Sequence, residues 1–274
     1  MEDDREYKFL LDKIKMNRNI DFSQYRPQVL KRRIRRRLHL AGCTTFWDYI
    51  LLLNRVPQEY DRLIESLTIK VSEFFRDPQV FEILGDTVIP EIISQKKTHG
   101  NKRIRAWSCG AAFGQEAYSM AILFCEILGR GLNDFYIKIL ATDIDKDALE
   151  KAPWGSYDRG GLGKMAAHLL FKYFTRFQDG NVDRYTVNDQ VRFLVTFNLH
   201  DVISDKVISG MDLVLCRNLL IYFQKELQEK ALRNLYASLN PGGFLILGKT
   251  ESIPPQMIDY FEVIDLRERI YRKQ

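Results

Sequence analysis

Residues 104–119 read IRAWSCGAAFGQEAYS and combine an apolar strand, a turn with two glycines and the start of a helix. This order is typical of α/β domains, where ligands bind beside such turns at the carboxyl ends of strands. Gly110 and Gly114 would let the backbone approach a ligand closely because they lack a Cβ atom. Their GxxxG spacing differs from the GxGxxG phosphate fingerprint, and no P-loop lysine follows. The stretch predicts a ligand-binding turn without a phosphate site; a tight structural connection is the alternative.

A second predicted strand ends in an acid. In ILATDID, residues 139–145, Asp143 stands at the strand end, 29 residues after Gly114. An acid in this place can accept hydrogen bonds from both hydroxyls of a ribose. Capping of the next helix is the alternative, and the sequence favours Asp145 for that role. A glycine turn and a strand-end acid without a phosphate site predict a nucleoside ligand that lacks phosphates. S-adenosylmethionine is such a ligand, and a dinucleotide is not.

The rest of the C-terminal part alternates between strands and helices. Helices are predicted to begin near residues 146 and 224. The strand segments are IRAWS, YIKILATD, VRFLVTFN, MDLVLCR and GGFLILG. This alternation predicts a doubly wound, mainly parallel sheet. The exception is the stretch at about 171–197, where strands around a turn at 179–181 predict a small antiparallel β-subdomain.

One further motif borders the predicted ligand crevice. CRNLLIYF, residues 216–223, places Asn218 and Tyr222 just past a strand end. Side chains there lie at the rim of the crevice in an open α/β sheet. Satisfying buried backbone groups is the alternative role for both. We expect Asn218 and Tyr222 to border the ligand.

The N-terminal part has a helical pattern instead. Three apolar stripes recur at helical spacing before residue 77. They are Leu10, Leu11 and Ile14; Leu30, Ile34 and Leu38; and Phe46, Tyr49, Ile50 and Leu53. We therefore predict an all-helical domain at 1–77, a linker helix at 78–100 and an α/β domain at 101–274.

Composition excludes several classes of protein. Of the residues, 46% are hydrophobic and 28% charged, and no stretch reaches the ~20 apolar residues that span a bilayer. The N-terminal MEDDREYKF lacks the apolar segment of a signal peptide. The four cysteines are scattered, without CxxC spacing or nearby histidines. We expect a cytoplasmic protein with reduced thiols and no metal site.

The positive charge is concentrated near the N-terminus. Residues 1–80 hold 16 Lys and Arg against 12 Asp and Glu, a surplus of four out of the net charge of +5. Six of these cations lie in KRRIRRR, residues 31–37. Its arginines are Arg32, Arg33, Arg35, Arg36 and Arg37. Like charges so close on a helix repel one another, so the segment predicts a docking surface for an acidic partner. A solvated charged face is the alternative.

Six segments of the chain carry a family resemblance. They are KRRIRRR (31–37), SEFFRD (72–77), WSCGAAFGQEAYS (107–119), ATDIDKDALEKA (141–152), CRNLLIYF (216–223) and NPGGFLILG (240–248). In this order they resemble the chemotaxis receptor glutamate O-methyltransferases, the CheR family. The resemblance covers nearly the whole chain. It implies a Rossmann-like class I methyltransferase sheet with a small antiparallel β-subdomain, preceded by a small all-helical domain.

The resemblance also implies an activity. Members of this family are cytoplasmic enzymes of signal transduction. They transfer a methyl group from S-adenosylmethionine to glutamate carboxylates on the helical region of chemotaxis receptors, and S-adenosylhomocysteine is the product. A glutamate carboxylate, with a pKa of ~4.3, is already ionised at neutral pH and needs no strong base. Alignment then supplies much of the catalysis.

By position, the resemblance implies cofactor contacts on the methionine side. Ser72 and Arg76 look like linker residues that reach the methionine end of the cofactor. Lys70 stands where the family usually has Asn. Glu116 resembles a glutamate that contacts the cofactor. Arg76 in a domain-bridging salt bridge and Glu116 as a first-turn helix acid are the alternatives.

The remaining implied contacts lie on the adenine and substrate sides. Asn198 and Leu199 resemble adenine-side contacts. Asn218 and Leu219 look like residues that line the pocket near the sulfonium. Tyr222 resembles a residue that orients the substrate. The predicted catalytic residues are therefore Arg76 on the cofactor side and Tyr222 on the substrate side.

Predictions about partners and function follow from the same resemblance. Family members that bind a receptor-tail peptide carry Gly-x-Gly in the β-subdomain. This chain has QDGN at 178–181, so tail-peptide docking is not expected. One alternative function is a regulatory module that binds S-adenosylmethionine. Another is a methyltransferase that acts on a different protein, or on nucleic acid whose phosphates are bound by KRRIRRR. No aromatic base pocket is evident near the predicted site.

Overall fold

The computed structural model describes residues 2–68, 72–163 and 165–274. The chain forms two compact units. The first comprises Met1–Ile69 and Tyr222–Lys230, and the second comprises Lys70–Ile221 and Ala231–Gln274. Lys70, predicted to contact the cofactor, lies outside the described residues.

The first unit is helical. Its helices are α1 (Glu2–Arg18), α2 (Pro27–Leu40), α3 (Phe46–Arg55) and α4 (Glu59–Leu67). The three apolar stripes predicted from the sequence are buried, which confirms the helical pattern. Pro27 starts α2, where its fixed φ suits the first turn. In the capping box that starts α3, Thr45 and Asp48 exchange hydrogen bonds.

The segment Tyr222–Lys230 also belongs to the first unit, although it lies far along the chain. The backbone N–H of Arg26 donates to the carbonyl of Tyr222 at 2.8 Å. The rings of Tyr25 and Phe223 meet edge to face, with centroids 4.8 Å apart. The predicted helical domain did not include this segment, because a discontinuous unit leaves no local periodic signal.

The sequence predicted a domain boundary at residue 77, and the second compact unit begins before it, at Lys70. The SEFFRD segment clusters with the second unit. Phe74 packs edge to face on Tyr157, with centroids 4.9 Å apart. The backbone N–H of Phe75 donates to Oγ of Ser119 at 2.9 Å. These contacts with residues distant in sequence place the segment in the core of the second unit.

The second unit contains ten strands among its described residues. They are β1 (Arg103–Cys109), β2 (Tyr136–Asp143), β3 (Ser156–Asp158), β4 (Phe174–Asp179), β5 (Val182–Val187), β6 (Val195–Leu199), β7 (Met211–Cys216), β8 (Leu239–Leu247), β9 (Phe261–Asp265) and β10 (Ile270–Lys273). Seven form one sheet in the order β6-β2-β1-β7-β8-β10-β9, parallel from β6 to β8 and antiparallel beyond. Strands β3, β5 and β4 form a separate antiparallel sheet. The predicted α/β fold, a mainly parallel sheet with a small antiparallel β-subdomain, is confirmed.

Helices separate these strands. They are α5 (Pro78–Ile83), α6 (Ile89–Thr98), α7 (Gln115–Leu128), α8 (Lys146–Lys151), α9 (Ala167–Tyr173), α10 (Asp189–Arg192) and α11 (Lys225–Ser238). A π-helical turn, Leu84–Val88, joins α5 to α6, so one helical run covers most of the predicted linker helix. Helix α7 begins at Gln115, directly after the glycine turn, where the sequence predicted the start of a helix.

Part of the predicted β-subdomain belongs to the main sheet. Strands β4 and β5 form the predicted hairpin, and their last pair is Asp179 with Val182. The segment VRFLVTFN, however, contains the end of the short helix α10 and then β6. Strand β6 pairs in parallel with β2, so the antiparallel interpretation was wrong for this segment. Residue alternation reveals a strand but not the sheet it joins.

Two findings concern the described part of the chain as a whole. No helix there is long and apolar enough to cross a membrane. No group of three or more His, Cys, Asp or Glu side chains there is arranged to hold a metal ion.

Candidate active site

The glycine turn after β1 is held in a left-handed backbone conformation. Gly110 has φ +80°, Ala112 +47° and Gly114 +90°. The N–H of Gly110 donates to the carbonyl of Thr142 at 2.8 Å, at the end of β2. A Cβ atom on Gly114 would lie 2.8 Å from the ring of Phe197, so both space and φ require glycine there. The turn is therefore fixed against the carboxyl ends of β2 and β6.

Asp143 lies at the end of β2, beside this turn. One of its carboxylate oxygens accepts from the N–H of Ala112 at 2.8 Å, and the other from the N–H of Asp145 at 3.0 Å. Burial raises the pKa of Asp143, and these backbone hydrogen bonds oppose the rise. Each oxygen has a second lone pair, so the carboxylate can still accept from ligand hydroxyls. The side chain of Asp145 accepts from the N–H of Ala148, which confirms the predicted helix cap.

The end of β6 lies directly beside Asp143. In the parallel register Thr142 pairs with Asn198, and Asp143 pairs with Leu199. Leu199, at the end of the edge strand β6, is 54% exposed. The two residues implied as adenine-side contacts are thus neighbours of the predicted ribose acid.

The loop after β7 carries Asn218 and Leu219. Asn218 has φ +61°, so it is another non-glycine residue with a left-handed backbone conformation. The buried carboxylate of Glu251 accepts from the N–H of Asn218 at 3.0 Å and from the N–H of Gly248 at 2.7 Å. Burial raises the pKa of Glu251, while its backbone hydrogen bonds lower it. A Cβ atom on Gly110 would lie 3.5 Å from Leu219, so this loop borders the glycine turn.

A charged cluster joins α7 to the SEFFRD segment. Oγ of Ser108 donates to one oxygen of Glu116 at 2.7 Å, and Nη1 of Arg217 donates to the other at 3.3 Å. Nη2 of Arg217 donates to the carbonyl of Arg76 at 3.0 Å and also pairs with Asp77. Burial raises the pKa of Glu116, and the charges of Arg217 and Arg76 and the hydrogen bond from Ser108 oppose that rise. Arg76 and Glu116, both predicted to contact the cofactor, therefore lie in one cluster.

Most of the predicted site residues meet at the carboxyl ends of neighbouring strands. They are Arg76, Gly110, Glu116, Asp143, Asn198, Leu199, Asn218 and Leu219, all in the second unit. Ser72 is half-buried in the same unit. Tyr222 clusters with the first unit, three residues after Leu219 on the chain. Their contacts with a ligand stay a prediction.

Sequence reasoning did not identify Arg217, Asp77 or Glu251. One signal was available, because Arg217 is the one charged residue in the mostly apolar run from Leu213 to Phe223. A charged residue in such a run must find buried partners.

The turn and its surroundings fit a polar nucleoside ligand. Oε1 of Gln115 and Nε of Arg217 are buried without a hydrogen-bond partner among the described residues. They are two of six such atoms among the described residues, and a ligand could supply a partner for these two. Of the six non-glycine residues with positive φ in the described part of the chain, four lie in these segments, namely Phe75, Asp77, Ala112 and Asn218. Strained backbone of this kind is commonly retained at functional sites.

The basic helix α2 is largely engaged within the first unit. Arg37 makes two hydrogen bonds to Glu59, at 2.6 and 2.7 Å. Arg35 pairs with Asp3 at 2.8 Å, and Nη1 of Arg33 donates to the carbonyl of Ser66 at 3.0 Å. These partners offset much of the repulsion that the sequence predicted.

Two arginines of α2 keep their charge toward solvent. Arg32 and Arg36 are exposed and one helical turn apart. With Arg62 of α4 they line a groove of about 660 Å³. Of the five arginines predicted to dock a partner, these two are therefore the most available.

The mainly parallel sheet, the glycine turn and the strand-end acid define a Rossmann-like, S-adenosylmethionine-dependent methyltransferase. Comparison with known proteins gives the family. The model for the SAM-binding domain of CheR methyltransferases matches residues 70–270, and the model for their all-alpha domain matches residues 5–68. The chain belongs to the CheR methyltransferase family.

Individual relatives agree with this assignment. "Chemotaxis protein methyltransferase 2" of Pseudomonas aeruginosa is 32% identical over 235 residues, covering 85% of this chain and 81% of that protein. "Chemotaxis protein methyltransferase" of Vibrio parahaemolyticus is 35% identical over 204 residues, covering 73% of this chain and 71% of that protein. An uncharacterized 104.1 kDa protein of Rhodobacter capsulatus is 33% identical over 263 residues. That match covers 96% of this chain but 27% of the Rhodobacter protein, so this chain spans about a quarter of its length.

Proposed function

We propose that this protein transfers a methyl group from S-adenosylmethionine to glutamate side chains of chemotaxis receptors, forming methyl esters. The observation that carries the proposal is the match of both CheR family models, which together cover most of the chain. The relatives named chemotaxis protein methyltransferases supply the link to chemotaxis. The reaction is proposed for the cytoplasm, where the helical region of such receptors carries the glutamates.

The residues of the second unit supply a place for the cofactor. The turn from Gly110 to Gly114 lets the backbone approach the nucleoside, and Asp143 accepts from the ribose hydroxyls. Asn198 and Leu199 border the adenine. When bound, S-adenosylmethionine supplies an electrophilic methyl group on a sulfonium.

The methionine side of the site is polar and charged. Arg76 and Glu116 are proposed to hold the carboxylate and the ammonium group of the methionine moiety, respectively. Asn218 and Leu219, on the loop that Glu251 fixes, border the sulfonium. Ser72 is proposed to complete this side, and Lys70, outside the described residues, keeps its predicted contact.

Catalysis is proposed to rest on alignment rather than on a base. A glutamate carboxylate of the receptor is ionised at neutral pH, with an ordinary pKa of ~4.3. Holding it in line with the methyl group is the main task, and alignment supplies up to ~7–11 kcal/mol in well-oriented systems. Tyr222 is proposed to orient this carboxylate by a hydrogen bond from its hydroxyl. Tight pairing with Arg76 would weaken the nucleophile, which is why we place Arg76 on the cofactor side.

The receptor is proposed to dock on the first unit. Arg32, Arg36 and Arg62 line a groove that complements a helix rich in glutamate. A tail-peptide tether is not part of the proposal. The hairpin turn between β4 and β5 consists of Gly180 and Asn181, without the Gly-x-Gly of members that bind such peptides.

The test is methyl transfer from labelled S-adenosylmethionine to a purified cytoplasmic receptor fragment, compared with RNA, DNA and a receptor fragment whose glutamates are replaced by alanine. We expect label on the unmodified fragment alone, released by mild alkali as methanol because a carboxyl methyl ester is base-labile. Label on nucleic acid would favour the nucleic-acid methyltransferase. Binding of S-adenosylmethionine without transfer to any substrate would favour a regulatory module.

A further inference from the structure

Arg217 is a buried cation at the centre of the candidate site. It follows β7 directly, and its side chain is 2% exposed. Its guanidinium lies 5.9 Å from the ring centroid of Phe81. Burying a charge beside an aromatic ring is costly unless partners offset the loss of water. Arg217 therefore needs each of its polar contacts.

These contacts join separate parts of the chain. Arg217 donates to the carbonyl of Arg76, pairs with Asp77, and donates to the carboxylate of Glu116. The first two partners belong to the SEFFRD segment, and the third lies in the first turn of α7. The planar fork of a guanidinium can contact several acceptors at once, whereas the ammonium of lysine is a compact point charge.

The surroundings of Arg217 are strained, as positions with a functional task often are. Asp77 has φ +57°, and Asn218, the residue after Arg217, has φ +61°. Such conformations persist only where neighbouring contacts over-determine them. Arg217 supplies such contacts to Arg76 and Asp77, and Glu251 supplies one to the N–H of Asn218.

Arg217 also influences the pKa of Glu116. Burial favours the neutral form of Glu116 and raises its pKa, while the charge of Arg217 is the largest influence in the opposite direction. The charge of Arg217 lowers the pKa of Glu116 relative to what burial alone would give, and this acts in favour of the anion that can pair with an ammonium group. Without the charge of Arg217, burial would raise the pKa of Glu116 further.

We propose that Arg217 is a positioning residue for methyl transfer, which fixes the backbone of Arg76 and the carboxyl group of Glu116 in one arrangement that receives the amino-acid end of the cofactor. This inference rests on the proposed function, because it assumes a ligand with an amino-acid end. It assigns to Arg217 no direct contact with that ligand.

The experiment compares two ligands that differ only at this end. S-adenosylhomocysteine carries the amino acid, and 5′-methylthioadenosine carries only the nucleoside and a thioether. Calorimetry measures both affinities for the wild type, for Arg217→Lys and for Arg217→Met. Arg217→Lys keeps the charge and is the variant to use if Arg217→Met does not fold. The matched control is Arg272→Met, which removes another arginine of the second unit, paired with Glu91 and Glu262.

We expect both Arg217 variants to bind S-adenosylhomocysteine at least ~tenfold more weakly than wild type, about 1.4 kcal/mol. Their affinity for 5′-methylthioadenosine should stay within twofold, and Arg272→Met should bind both ligands normally. In Arg217→Met the loss should deepen as pH falls, because Glu116 becomes protonated at a higher pH than in wild type. Equal losses for both ligands, or no loss for either, would overturn the proposal. A wild type that binds neither ligand would instead contradict the proposed function.

Discussion

Two arginines, one in each unit, make similar ion pairs in different settings. In the first unit Arg37 forms a two-bond fork with Glu59, whose side chain is 4% exposed, and Tyr49 donates to the same carboxylate at 2.8 Å. In the second unit Arg217 pairs with Glu116 and Asp77. Burial would raise the pKa of Glu59, but the hydrogen bonds and charge of Arg37 and the hydroxyl of Tyr49 hold it below its usual value. For Glu116 the effect of burial is the larger one, and the pKa lies above its usual value.

The two ion pairs differ in the kind of structural element that they connect. Arg37 and Glu59 join α2 to α4, two regular helices. Arg217 and its partners hold turns and strand ends with left-handed backbone, and its Nε lacks a partner among the described residues. Removing one partner of a satisfied pair between regular elements destabilises the fold, whereas an incompletely satisfied pair among strained loops is typical of a ligand site. We infer that the first cluster serves stability and the second serves binding.

The largest effect that tests this comparison is expected for Glu59→Ala. Removing one partner of a buried pair leaves Arg37 without its carboxylate, which costs ~3–5 kcal/mol of the free energy of unfolding. Urea denaturation measures this loss. The control is Asp3→Ala, which breaks the exposed pair with Arg35 and should cost no more than ~1 kcal/mol.

The affinity of Glu59→Ala for S-adenosylhomocysteine should equal that of the wild type under conditions where the variant is folded. A folded variant with weakened binding would show that the first cluster is not purely structural. The pair also predicts a pH dependence. Because the folded pKa of Glu59 is depressed, its stabilisation is present above the unfolded value of ~4.3 and is lost as pH falls through the lower folded pKa. Glu59→Gln should lack this part of the acid destabilisation.

The second prediction concerns Asp143 in the second unit. Asp143→Ala removes the proposed ribose acceptor and the anchor of Ala112, and should weaken S-adenosylhomocysteine binding at least ~tenfold, about 1.4 kcal/mol. Calorimetry measures this change. The matched control is Asp145→Ala, which removes a helix cap two residues away and should cost ~1 kcal/mol of stability without a comparable loss of affinity. If both variants bind equally well, the ribose site lies elsewhere.

A third, smaller effect is expected for Tyr222→Phe. This residue clusters with the first unit but is proposed to act on the substrate. Loss of one hydrogen bond to the carboxylate should lower kcat by about threefold to tenfold, on the scale of ~0.5–1.5 kcal/mol. Affinity for S-adenosylhomocysteine, measured on the same preparation, should not change. Full turnover on the receptor fragment would assign the hydroxyl a purely structural role.

The sequence predicted the parts of the molecule that depend on local pattern. The strand–turn–helix at 104–119 and the apolar stripes of α1 to α3 have a clear period, and both are confirmed. Gly110 and Gly114 were singled out because they would let the backbone approach a ligand closely, and both have positive φ, +80° and +90°. The predicted helix cap at Asp145 followed from the same local reasoning.

What the sequence did not predict depends on contacts between distant residues. Arg217 is 141 residues from Arg76, and Glu251 is 33 residues from Asn218. No periodicity links such pairs, and a charged residue in an apolar run reveals only that some partner exists. The same reason explains why residues 222–230 were not predicted in the first unit and why β6 was given to the wrong sheet.

The smallest expected effect concerns the charges of the first unit that remain outside its internal pairs. The sequence treated the five arginines of α2 alike, but Arg37 and Arg35 are ion-paired and Arg33 donates to a backbone carbonyl. Reversing Arg33 would therefore confuse docking with stability. Arg32 and Arg36 are exposed and line the groove with Arg62, so they are the positions at which charge reversal should act on a partner.

We expect Arg32→Glu/Arg36→Glu to raise the KM for the receptor fragment severalfold at low salt, because exposed charges mainly increase the association rate. Such charges are screened over ~8 Å at physiological ionic strength, so the difference from wild type should shrink as salt is added. Affinity for S-adenosylhomocysteine should not change. The control is Arg5→Glu/Lys8→Glu, an equal change of charge at exposed positions on α1 of the same unit. An equal rise in KM for both double variants would mean that only the net charge of the unit matters. A wild-type KM and salt response in Arg32→Glu/Arg36→Glu would place the docking surface away from α2.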